Sequence, residues 1–84
     1  MLMAIKEDTM DNDTAKLVAD LSRHLSVELD LNYEDVELAR YNVECVDAIQ
    51  RALLALAQAK AFIPDAVEHI LVRAENGQRQ IQAE

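Results

Sequence analysis

Apolar positions recur along the chain at spacings of three and four, and the recurrence divides it into three stretches. The first follows Asn12 and Asp13, whose short side-chain oxygens suit the free amides at a helix start. Leu17, Val18, Leu21 and Leu25 then fall on one side, which predicts a helix over 14–29 with that stripe facing the core. Residues 25–31 alternate apolar and polar, a strand pattern. A lone strand would lack a partner, so 28–32 is expected to be a turn.

The second stretch opens at Asn32, which stands three residues before Asp35 as a short-armed capping box, with Glu34 in the same turn. Val36, Ala39, Val43, Val46, Ile49, Leu53, Leu56, Ala59 and Ile63 follow with gaps of three or four, and no proline or glycine interrupts them. The pattern predicts one helix over 33–62, about 45 Å long at 1.5 Å per residue. Asn42 is the position at which it would divide, because asparagine caps better than it propagates. Opposite charges four apart, Arg40 with Glu44 and Asp47 with Arg51, favour continuity.

The third stretch starts at Pro64 and Asp65, both suited to a first helical turn. Val67, Ile70, Leu71 and Ala74 form a short stripe, and Gly77 is a credible C-terminal cap. This predicts a helix over 64–76 and a frayed tail over 78–84. Residues 1–11 are expected to be a flexible lead-in and 12–77 a single helical domain. The predicted architecture is all-α: three antiparallel helices around a long central one. The third helix is too short to cover the second, so the chain is expected to pack as a homodimer.

Composition supports this class. Thirteen alanines and eleven leucines favour helix, while one glycine and one proline leave little turn chemistry for hairpins. At 84 residues the chain holds one domain at most and is too short for a (β/α)₈ barrel or a doubly wound dinucleotide fold. Phe62, Tyr33 and Tyr41 are its only aromatics, so the core is aliphatic and thin, which also favours self-association.

Projection of the central helix sharpens the picture. Val43, Val46, Ile49, Leu53 and Leu56 make a broad apolar face, and Cys45, Ala48, Ala52, Ala55 and Ala59 make a second, small-residue face beside it. The helix is therefore expected to be covered on more than one side, with small residues admitting a close neighbour.

The formal charge of −8 is unevenly placed. Residues 1–47 hold twelve acids and four bases, and residues 48–84 hold four of each. A one-signed field steers basic partners and repels nucleic acid. No eighteen-residue apolar run spans a membrane, and Lys6, Glu7 and Asp8 end the apolar start Met1–Ile5 too early for a signal-peptide core. The expected location is cytoplasmic.

The residues of chemistry are sparse. There is no phosphate-binding glycine loop, no paired cysteine and no His-Glu-x-x-His. His24 and His69 are single, and Cys45 has Glu44 beside it, which opposes thiolate formation; only a helix start at Asn42 would move Cys45 into a first turn. No catalytic residue, cofactor site, metal site or small-molecule substrate is therefore expected. The reading that remains is a non-catalytic interaction protein, an inhibitor or adaptor that docks an apolar helix face on a larger protein, with basic character favoured in the partner. The expected contacts are Ala52, Leu53, Leu56, Ala59 and Phe62, with Glu34, Asp35 and Glu37 steering. The alternatives are an acidic nucleic-acid mimic that occupies a basic groove, a secretion-type chaperone or antitoxin-like partner, and a structural homo-oligomeric module.

Overall fold

The computed structural model describes residues 10–84, which fold into four helices with no strand among them. They are α1 (Asn12–Asn32), α2 (Asp35–Tyr41), α3 (Val43–Gln58) and α4 (Asp65–Ala83). The all-α class holds, but the three-helix arrangement is replaced by four. Of the expected lead-in, residues 1–9 lie outside the described set.

α1 is longer than its apolar stripe suggested. Asp11 is its N-cap, accepting from the Thr14 amide at 2.7 Å, and the helix continues through the expected turn at 28–32 to Asn32. Its inward face holds only half of the expected stripe: Val18 and Leu25 pack half-buried against the two cores. Ala15, Ala19, Ser22, Ser26 and Leu29 are buried, while Leu17 is 57 % and Leu21 61 % exposed. Small side chains let α1 lie close to its neighbours. The two buried hydroxyls are satisfied within the helix: Ser22 Oγ donates to the Ala19 carbonyl at 3.1 Å and Ser26 Oγ to the Ser22 carbonyl at 2.7 Å.

The expected long helix is divided at Asn42 and stops before 62. Asn42 leaves helical geometry at φ −123° and ψ 32°, and its side-chain amide donates to the Glu37 carbonyl at 3.2 Å. Its own carbonyl accepts from Val46 and begins α3. The divided helix does not pair Arg40 with Glu44; Arg40 reaches Glu84 at 3.1 Å instead. Asp47 and Arg51 do pair, at 3.1 Å. The start of α2 also differs from the sequence expectation: Glu34, not Asn32, is the N-cap, and its amide donates to the Glu37 carboxylate at 2.8 Å.

α3 ends in a Schellman-type closure. The Lys60 amide donates to the Ala57 carbonyl, and the Ala61 amide reaches back to the Leu56 carbonyl at 2.9 Å. Lys60 accordingly takes φ 57°, a left-handed position that glycine usually fills. The connection turns here, and Pro64 is the N-cap of α4.

α4 packs against all three other helices. Its inner residues Val67, Ile70 and Ala74 pack with Leu29, Leu38 and Ile49 in the main core. Leu56 forms a second core with Ala15 and Ala19, with Met10, Val18, Ala61 and Ile63 against it. Gly77 is neither a cap nor followed by a frayed tail: the helix runs on to Ala83. A Cβ at Gly77 would overlap the Asp35 carbonyl group, so the missing side chain is what lets α2 and α4 meet backbone to backbone.

Three stability outcomes follow. Gly77→Ala should lower stability, because overpacking against backbone costs about 1–3 kcal/mol and exceeds the gain of up to about 1 kcal/mol in helix propensity. A raised urea midpoint would mean that α2 does not seat on α4. Lys60→Gly should raise the midpoint by the equivalent of about 0.5–1 kcal/mol, since it relieves the left-handed strain at some cost in unfolded-chain entropy. Leu56→Ala should cost about 2–5 kcal/mol, as for other fully buried leucines.

Candidate docking surface

The polar junction between α1, α2 and α4 comes first, because it fixes which carboxylates are free. Arg73 of α4 extends into the α1–α2 connection. Its Nε donates to Asp35 Oδ1 at 2.6 Å, its Nη1 to Asp30 Oδ1 at 2.8 Å and to the Asp30 carbonyl at 3.1 Å, and its Nη2 to the Tyr33 carbonyl. His69 Nε2 lies 3.1 Å from the same Asp30 oxygen. The hydrogen bond from Arg73 holds the Asp30 carboxyl below the ordinary carboxylate range, against a smaller opposing effect of burial. Burial alone would lower Arg73, but its bonds to Asp35 and Asp30 outweigh that and raise it. The junction is a structural clamp. Among the described residues, no three His, Cys, Asp or Glu side chains come together as a metal-ligand group.

Of the three expected steering acids, Asp35 is therefore half-buried and taken by Arg73, while Glu34 and Glu37 are exposed but joined at the start of α2. The apolar contact set is scattered too. Leu56 is fully buried and belongs to the core, so it is not available to a partner. Leu53 packs half-buried against the main core, and Ala52 and Ala59 are half-buried. Phe62 is 75 % exposed, but it lies in the α3–α4 connection beside a groove of about 380 Å³ with a small-residue floor of Ala15, Ala19, Ala61 and Pro64 and mixed charges from Lys16, Asp20 and Arg23. Cys45 is half-buried at the third position of α3, where the division at Asn42 places it.

The larger open surface lies elsewhere. A groove of about 560 Å³ runs between α3 and α4 and is closed at one end by α2. Leu38, Val46, Leu71 and Ala74 give it an apolar floor, and Val43 and Val72 stand at its edges, 58 % and 56 % exposed. Its polar lining is Asp47, Gln50, Glu75 and Gln78, acids and amides with no base. Val43 was legible as part of the apolar face of its helix. Val72 was not, although a signal existed: Ile70, Leu71 and Val72 are consecutive, and three adjacent residues span about 200° of a helix, so they cannot all enter one core.

No protein-family model, curated protein or solved structure matches this chain. No helix among the described residues is long and apolar enough to cross a membrane.

The depressed Asp30 carboxyl makes stability depend on pH. Its contribution is fully present above the unfolded aspartate pKa of about 3.9 and is lost as pH falls through the lower folded value. Asp11, lowered by the Thr14 amide, acts in the same direction. In urea titrations between pH 2 and 7, Asp30→Asn should therefore sit below the wild type at neutral pH and converge on it in acid. Parallel curves would show that the negative charge on Asp30 contributes nothing to stability.

Proposed function

We propose that the chain is a non-catalytic interaction module, a small inhibitor or adaptor, and that it docks its partner through the α3–α4 groove. The observation that carries this is the groove itself: half-buried Val46 and Leu71 lie over the core residues Leu38 and Ala74, with two exposed valines at its edges. Isolated exposed apolar residues need no explanation, but a contiguous concave set points to an interaction surface. Burying the exposed parts of Val43 and Val72 contributes about 1 kcal/mol each, enough to matter to a transient interface.

The rival readings have less behind them. Occupation of a basic nucleic-acid-binding groove would call for a regular array of free carboxylates. Here Asp30 and Asp35 are bound to Arg73 and Glu37 closes the α2 start, which takes three carboxylates out of any such array. A homo-oligomeric module remains the competing occupant of the same groove.

The test is affinity capture from the source cells with the wild-type chain and with Val43→Asp, Val72→Asp and Leu17→Asp. All three positions are exposed, so helical circular dichroism should be retained. A partner lost with Val43→Asp and Val72→Asp but kept with Leu17→Asp supports docking in the groove. A partner lost only with Leu17→Asp would move the interface to the outer face of α1 and overturn the reading.

A further inference from the structure

We infer that the occupant of the α3–α4 groove is a short amphipathic helix with Lys or Arg along its flanks, and not a second copy of this chain. The inference rests on the groove being a docking surface and adds the chemistry of what it takes. The groove walls are two helices, contributing residues 43–50 of α3 and 71–78 of α4. Each wall is about 10 Å long at 1.5 Å per residue, which fits two turns of a third helix laid between them. A helix in such a position presents apolar anchors at i, i+3, i+4 and i+7 to the floor.

Charge decides between occupants. Asp47 stands on the α3 wall and Glu75 on the α4 wall, so a carboxylate faces any occupant from either side. The arginines that pair with them, Arg51 at 3.1 Å and Arg79 at 3.4 Å, do so within their own helices, and all four side chains are largely exposed. Such i,i+4 surface pairs are weak, so a base on an incoming helix can take the carboxylates over. A second copy packed groove to groove about a two-fold axis would bring another Asp47 and Glu75 to the same rim and no base in the groove lining to meet them. A neutral apolar helix would leave them only their weak pairs with Arg51 and Arg79.

The test uses two synthetic eighteen-residue helical peptides with the same leucine pattern, one flanked by lysine and one by glutamate. Each is titrated into the full ¹⁵N-labelled chain, with affinity measured at two salt concentrations. The expected result is that the lysine peptide shifts the amides of Val43, Val46, Gln50, Leu71 and Val72, more weakly at high salt, while the glutamate peptide does not. Asp47→Lys with Glu75→Lys should weaken the lysine peptide about tenfold, as expected for two reversed rim charges, and admit the glutamate peptide. Equal binding of both peptides, or an unchanged preference in the double variant, would overturn the basic-helix inference and leave the groove as a docking surface. Absence of groove shifts with either peptide would overturn the docking surface too. Sedimentation as a dimer whose dissociation accompanies Val72→Asp would assign the groove to a second copy and overturn the inference.

Discussion

Arg73 joins three helices with one side chain. From the middle of α4 its guanidinium donates to the carboxylates of Asp30 in α1 and Asp35 in α2 and to the carbonyls of Asp30 and Tyr33. The carbonyls belong to the end of α1, where orphan acceptors collect because no further turn supplies their donors. A cation there also meets the negative end of the helix dipole. The same contact leaves α2 pointing along the second half of α4, and at that point Gly77 removes the side chain that would hold the two backbones apart. The short helix α2, too brief to persist alone, is therefore held by tertiary contact with α4: Arg73 at its start, Gly77 beneath it and Arg40 with Glu84 near its end.

The sequence was informative where one local signal dominated. Helix, as against strand, followed from the alanine and leucine content and from the three-four spacing. The start beside Pro64 followed from a side chain that acts on its own backbone, and Asn42 marked where the long helix could divide, although the unbroken spacing predicted that it would not. It was misleading where tertiary contact chose between two locally acceptable outcomes. Nothing local says that α1 should bury Ala15, Ala19, Ser22 and Ser26 and leave Leu17 and Leu21 outside, because the hydrophobic pattern favours the reverse. Gly77 reads equally as a helix end or as a point of close approach, and only the position of Asp35 selects the second. Lys60 gives no sign that it occupies a left-handed turn. The candidate site suffered in the same way: Leu56 and Leu53 belong to the richest apolar run in the chain, and for that reason the core took them.

The arrangement of α4 explains why a groove remains. Arg73 and Gly77 lie on the side of the helix that meets α1 and α2, and Val67, Ile70 and Ala74 fill the interior next to it. Leu71, Glu75 and Gln78 lie on the opposite flank of that interior, where α3 approaches only at its edge. Two helices drawn onto one side of α4 by a clamp and a glycine leave the other flank half covered. The residues that hold the fold, Arg73, Gly77 and Leu56, are thus distinct from those at the groove's edge, Val43, Asp47, Val72 and Glu75. Substitutions at exposed positions outside such structural contacts usually change stability by about 0.5 kcal/mol or less. The edge can therefore vary while the four-helix frame stays fixed, which is the separation the proposed docking role requires.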